Sequence, residues 1–259
     1  MATREDGELA VELAAAAGEL LLELRATALS GRELGARGDE LANDLLIGGL
    51  AERRPDDAVL SEESADTTAR LSADRVWIID PLDGTREYGE DDRSDWAVHV
   101  ALWENGELAA GAVALPAQQI VHDTNDPRLL PPRPDGPLRI AVSRSRPPAL
   151  VEYLATELGA ELVPMGSAGV KATAVLRGEV DAYVHAGGQY EWDSAAPVVV
   201  AQAAGLFCSR IDGSPLRYNQ PSPKVPDLLV CRPEISAKLL AAIASQPENQ
   251  EAAAEVRVA

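Results

Sequence analysis

Cysteine is scarce: Cys208 and Cys231 are the only two in 259 residues. Two thiols make no disulfide framework, and a reducing cytoplasm is the simpler setting. Basic charge is also short. Lys and Arg number 23 against 42 Asp and Glu, a net charge of −19. That balance argues against a nucleic-acid polymer or an anionic membrane as partner, because both are bound by basic surfaces. No segment approaches the ~18 consecutive apolar residues of a membrane span. The opening Met1-Ala2-Thr3-Arg4-Glu5-Asp6 has no apolar signal core, so export is not expected. His99 and His122 stand alone on strand-like runs with no Cys or His partner nearby, which disfavours zinc. No Ser/His/Asp triad and no cysteine-phosphatase loop is evident.

What is present is a large apolar fraction, 46%, in a chain long enough for one large or two closely packed domains. Leu9, Leu13, Ala16, Leu20 and Leu24 repeat at three- and four-residue spacing, which predicts an amphipathic helix over 5–30. Gly31 and Gly38 bracket a break, and a second helix is expected from near Asp39 through Leu50. Residues 96–122 alternate strand-like runs around Glu104-Asn105-Gly106-Glu107, an antiparallel meander. Pro127, Pro131, Pro132, Pro134, Gly136 and Pro137 then mark a boundary. Beyond it, short strands alternate with helices, an α/β pattern. Gly213 through Asn219 reads as a turn and a strand. The expected division is an α+β half over 1–133 and an α/β half over 134–259.

The most informative stretch is Trp77-Ile78-Ile79-Asp80-Pro81-Leu82-Asp83-Gly84-Thr85. Residues 76–79 read as a short buried strand that runs into two carboxylates three residues apart. Pro81 lacks an N–H and cannot continue a central ladder. Gly84 permits a tight turn or a close backbone approach. The strand end therefore offers Asp80, Asp83 and the Leu82 carbonyl, oxygen donors of the kind that hard divalent cations take. A second strand, Ala58-Val59-Leu60, ends in Ser61-Glu62-Glu63. Far downstream, Glu191-Trp192-Asp193-Ser194-Ala195-Ala196-Pro197 puts Asp193 at a helix start, where it would serve as an N-cap or as a ligand.

Asp-Pro-Leu-Asp-Gly-Thr after a Trp-Ile-Ile strand resembles the signature of the inositol monophosphatase superfamily, the lithium-sensitive, magnesium-dependent sugar and nucleotide phosphatases. The Glu-Trp-Asp-Ser-Ala-Ala-Pro stretch resembles their second signature. The resemblance implies a layered α-β-α-β-α sandwich. It implies two or three Mg2+ ions held by Glu62, Asp80, the Leu82 carbonyl, Asp83 and Asp193. It also implies that Thr85, assisted by Asp44 on the second helix, orients the attacking water, while the Gly84 and Thr85 N–H groups receive phosphate oxygens. The family's Lys-x-Asp loop has Arg37-Gly38-Asp39 as its nearest counterpart, and Leu41 stands at the place of its threonine.

Arg86-Glu87-Tyr88, the Ser143-Arg144-Ser145-Arg146 strand end and Gly166-Ser167-Ala168-Gly169-Val170-Lys171 resemble the bisphosphate nucleotidase branch. Physically, Arg144, Arg146 and Lys171 are cations in an acidic chain, suited to a second phosphate. Ser143, Arg146, Gly166 and Lys171 are the implied substrate contacts, with Leu82, Asp83, Gly84, Thr85 and Asp193. The implied reaction removes the 3′-phosphate of adenosine 3′,5′-bisphosphate, or of its 5′-phosphosulfate, in nucleotide recycling linked to sulfate assimilation. The same chemistry on an inositol or fructose phosphate is the alternative, and a non-catalytic acidic cation-binding domain is a remote one. The family also implies a homodimer.

Overall fold

The computed structural model describes residues 2–145 and 147–246. Its seven α-helices and two five-stranded sheets, counted among the described residues, stack in five layers. The first sheet has the order β1-β2-β3-β4-β5, from β1 (Ala58–Ser61), β2 (Arg75–Asp83), β3 (Ala97–Glu104), β4 (Glu107–Leu115) and β5 (Ile120–Asp123). β1 runs parallel to β2, and the rest is the antiparallel meander that the alternating runs predict. The second sheet has the order β7-β6-β8-β10-β9, from β6 (Arg139–Ser143), β7 (Glu161–Met165), β8 (Ala182–Tyr190), β9 (Phe207–Ser209) and β10 (Lys224–Cys231).

Helices α1 (Arg4–Arg25) and α2 (Gly31–Arg53) cover the outer face of the first sheet. The one-turn helix α3 (Thr85–Tyr88) follows β2 directly. Helices α5 (Ala168–Leu176) and α6 (Glu191–Ala203) lie between the sheets, and α4 (Ala149–Leu158) and α7 (Ser236–Ala244) cover the far face of the second. β2 shows why the layers stack this way. Its side chains alternate, so Trp77 and Ile79 join the cluster under α1 and α2, while Val76 and Ile78 join the one under α5 and α6. A strand apolar on both faces needs cover on both.

Two expectations fail. Residues 31–38 do not break the chain, because α2 already begins at Gly31. Its glycines serve close packing instead. A Cβ on Gly35 would lie 2.7 Å from the Thr85 methyl, and one on Gly38 would lie 2.9 Å from the Tyr88 ring. Residues 213–219 form no strand. They belong to a loop between β9 and β10 whose far end, Asn219 and Gln220, bonds to the Glu191 carboxylate instead of to a neighbouring strand.

A charge network pins α1 to the sheet. Arg75 at the start of β2 donates to Asp57, Glu104 and Asp6, and Asp6 also accepts from Arg54 and from the Thr3 N–H. Burial raises the Asp6 pKa, but these hydrogen bonds and the Arg75 charge outweigh it and bring the carboxyl down to about 2. A depressed carboxyl contributes stability that is complete above its unfolded value of 3.8 and disappears as pH falls through about 2. The contribution is about 2 kcal/mol. Urea unfolding should therefore find Asp6→Asn less stable than wild type at pH 6, with the gap closing as the buffer approaches pH 2. A gap that stays constant over that range would show that the Asp6 charge is not what the network stabilises.

Candidate metal centre and substrate cleft

The centre begins with a defect in β2. Asp80 lies opposite His99 and Asp83 opposite Ala97, so three residues of β2 are matched by two of β3. In a regular strand, positions three apart point to opposite faces. The extra residue at Pro81-Leu82 is a β-bulge that cancels this and re-aims the second carboxylate. Gly84 ends the bulge at φ +90°, a left-handed conformation suited to glycine. A Cβ there would also lie 3.2 Å from the Asp95 carbonyl and 3.3 Å from Ser167.

Asp193 comes from the other half of the chain. It sits in the first turn of α6, where its Oδ2 accepts the Tyr190 N–H at 2.6 Å. Asp193 thus does the capping work and still has an oxygen to offer. Ligand atoms of Asp80, Asp83 and Asp193 all lie within 4.8 Å of one another.

These carboxylates are held in place by uncharged donors. Asp83 Oδ2 accepts the Ser167 hydroxyl and, at 2.8 Å, the Gly169 N–H. Ser167 adopts φ +47°, an uncommon conformation for serine, which places this hydroxyl. His99 is wholly buried beside the pair, with Nδ1 3.0 Å from the Trp192 carbonyl and Nε2 3.3 Å from Asp83 Oδ2. Since a carbonyl only accepts, Nδ1 carries a proton. Burial lowers the imidazole pKa, against the pull of the Asp83 charge and the Trp192 carbonyl.

The electrostatics ask for a cation. Asp80 is completely buried, and its pKa is driven well above the carboxylate range by burial and by Asp83, Glu62 and Asp193; the Leu82 N–H opposes the shift. Asp80 Oδ2 has no hydrogen-bond partner among the described residues. Asp193 is raised to about 7, first by burial and then by the Asp83 charge. Glu62 stands at the rim, open to solvent on one side. The protein around its carboxyl, then the charges of Asp193, Asp83, Glu63 and Asp39, push it up to about 8. Solvent at the rim screens much of that repulsion. An all-oxygen donor set with an orphaned buried oxygen fits magnesium or another hard divalent ion.

Asp44, expected beside Thr85, is exposed on α2. The carboxylate that meets Thr85 is Asp39, whose Oδ1 lies 3.3 Å from the Thr85 hydroxyl. Residues five apart on a helix point about 140° away from each other, so Asp39 and Asp44 cannot share a target. Because α2 starts at Gly31, the face of Gly35, Gly38 and Asp39 is the one that lies on the motif. Asn43, one turn after Asp39, is on the same side and accepts from Ser61, next to Glu62. The Thr85 hydroxyl also lies 3.1 Å from the Leu82 carbonyl. Burial, then the Glu63 charge, raises Asp39 to about 7 against the Thr85 hydrogen bond. Arg37 faces solvent and pairs with Glu40.

A cleft of about 370 Å³ opens beside the carboxylates. Asp83, Gly84, Ser143, Gly166, Lys171 and Asp193 all line it, which brings together residues from both halves. Two of its cations are already engaged. The Lys171 ammonium is buried and donates to the Gly166 and Ser167 carbonyls, and Arg144 is paired with Glu87 and Glu90. Arg146 lies outside the described residues. His99, Ser167, Gly169 and Asp39 are the site residues that the sequence did not bring forward. His99 lies opposite Asp80 in the β2–β3 pair, whose register the hairpin turn between β3 and β4 does not set.

A family model described as the inositol monophosphatase family matches residues 3–128 and 137–250. The chain is 55% identical over 238 residues to the 3′-phosphoadenosine 5′-phosphate phosphatase of Mycobacterium bovis, covering 88% of this chain and 89% of that protein. It is 30% identical over 192 residues to the 3′(2′),5′-bisphosphate nucleotidase CysQ of Escherichia coli, covering 70% of this chain and 77% of that one. The crystal structure of CysQ from Bacteroides thetaiotaomicron superposes with a TM-score of 0.78 at 24% identity, over 88% of this chain and 97% of that one. Inositol monophosphatase II of Staphylococcus aureus superposes with a TM-score of 0.79 at 20% identity, over 93% and 96%.

Proposed function

The chain belongs to the inositol monophosphatase family, and from that premise we propose that it is a magnesium-dependent phosphomonoesterase that converts adenosine 3′,5′-bisphosphate and water to AMP and phosphate. The observation that carries the reading is the convergence of Asp80, Asp83 and Asp193 beside Thr85, in a chain half identical to proteins named for that substrate. The phosphate ester and the protein are both anionic, so cations must stand between them.

Glu62, Asp80 and the Leu82 carbonyl would hold one ion, and Asp80, Asp83 and Asp193 a second. Bound magnesium would neutralise phosphate charge and lower the cost of deprotonating water. The chain's own residues supply positioning. Thr85 donates its proton toward Asp39, which leaves an oxygen lone pair to accept a proton of the attacking water. Asp39, with a pKa near neutrality, is placed to take up the proton as the P–O bond to water forms. The Gly84 and Thr85 N–H groups receive phosphate oxygens, and the ester oxygen leaves with a proton from solvent. Positioning and electrostatics account for most of the catalysis in such reactions. Ser143, Gly166, Lys171 and Arg146 are the proposed contacts of the nucleotide. The ligands divide between two structural halves, 1–133 and 134–259, working on one substrate.

A turnover panel tests this. Adenosine 3′,5′-bisphosphate and its 5′-phosphosulfate should be hydrolysed with kcat/KM at least ~10²-fold above inositol 1-phosphate and fructose 1,6-bisphosphate, the order of discrimination that a site built for specific polar groups gives. Comparable values on all four would defeat the nucleotide assignment.

A further inference from the structure

The carboxylates of the centre come from elements far apart in sequence, and one buried cluster outside the centre ties those elements together. Arg70, in the 3-10 turn Thr68–Ser72 just after the Glu62 turn, is 1% exposed. Its Nε and Nη2 pair with Asp66 at 2.7 and 2.9 Å, which closes the segment behind Glu62. Its Nη1 and Nη2 donate to Asn219 Oδ1 at 2.7 Å and to the Gln220 carbonyl at 2.9 Å, and the Asn219 amide returns a hydrogen bond to the Arg70 carbonyl at 3.2 Å.

The same two loop residues grip the start of α6. The Asn219 and Gln220 N–H groups donate to the two carboxylate oxygens of Glu191 at 2.6 and 2.8 Å. Glu191 is itself 1% exposed and stands two residues before Asp193. Tyr218 adds a hydrogen bond to Ser194, one residue after Asp193. Asn219 holds φ +56°, the left-handed conformation that lets its side chain face Arg70 while its N–H faces Glu191.

We propose that Arg70, Asn219 and Glu191 form a clamp that sets the separation between the Glu62 turn and the Asp193 helix, and with it the affinity for the cations held between the two halves. None of the three is a catalytic residue; each is a positioning residue. The proposal rests on the metal-dependent reading above. Buried charges are costly to desolvate, and this cluster buries two, Arg70 and Glu191, where apolar packing would serve stability as well. What the charged cluster adds is directional control of a gap, and outer partners of this kind change metal affinity by about 10- to 100-fold.

Asn219→Gly keeps the left-handed backbone and removes both Asn219 side-chain bonds to Arg70, leaving only the Gln220 carbonyl on that guanidinium. Glu191→Gln leaves one N–H of the loop facing an amide NH2. Each protein is titrated with Mg2+, and both turnover and melting temperature are followed. Both variants should need about tenfold more Mg2+ for half-maximal turnover and for half of the Mg2+-induced rise in melting temperature. At saturating Mg2+, kcat should return to within about twofold of wild type, since transition-state contacts are untouched. If Glu191→Gln does not fold, Asn219→Gly carries the test alone. An unchanged Mg2+ requirement, with melting lowered equally with and without the ion, would make the cluster an ordinary structural tie and overturn the clamp. A wild-type protein that responds to Mg2+ in neither measurement would overturn the metal reading, and the clamp with it.

Discussion

Asp83→Asn should abolish turnover, with a loss on the order of 10³-fold or more, while leaving the fold intact. Asp83 supplies one of three clustered carboxylates, and its second oxygen is fixed by Ser167 and Gly169. An amide in its place brings no charge to a cation. The stability readout should move the other way from activity. Without metal, burial and then the repulsion of nearby charges, Asp83 in each case among them, raise the pKa values of Asp80, Asp193 and Glu62. Removing one charge relieves that repulsion. The metal-free variant should therefore melt no lower than wild type, and its melting temperature should no longer climb with added Mg2+. Near-normal turnover in a folded Asp83→Asn protein would end the two-ion proposal.

The second large effect separates two aspartates on one helix. Asp39→Asn should lower kcat by about 10²- to 10³-fold, the range for a positioned acid–base group. Asp44→Asn should leave kcat within about twofold of wild type, because Asp44 is an exposed surface residue. The pH profile gives an independent check. Activity in the wild type should rise as Asp39 loses its proton. Burial and the Glu63 charge place that limb at about 7, and bound cations would draw it lower. The residual activity of Asp39→Asn should lack the limb. Equal losses in the two variants would mean that the Asp39–Thr85 contact is not what orients the water.

Asp39 also shows where patterning stops being informative. Reading glycines as breaks puts the start of α2 eight residues too late. Glycine is a poor helix former only when nothing else acts on it. Here Gly35 and Gly38 let the Thr85 and Tyr88 side chains approach the helix backbone, and packing against the motif outweighs propensity. The loop at 213–219 fails for a related reason. Its hydrogen bonds go to Arg70 and Glu191, 149 and 28 residues away, and no local period announces such partners. Lys171 was legible as a cation in an acidic chain, but not as the donor that holds the Gly166-Ser167 turn.

By itself the sequence brought forward the candidate atoms: Asp80, Asp83 and Asp193 as oxygen donors, with Thr85 next to the motif, in an acidic chain. Those are properties of residue type and short spacing, and they survive whatever the long-range contacts turn out to be. Only the tertiary structure decided the partners. The bulge that turns Asp83 toward Asp80, the choice of Asp39 over Asp44, the buried His99 beneath the pair and the Arg70–Asn219–Glu191 cluster all depend on which surfaces meet. A helix offers its carboxylates in every direction, and the packing of the layers selects the one that faces inward.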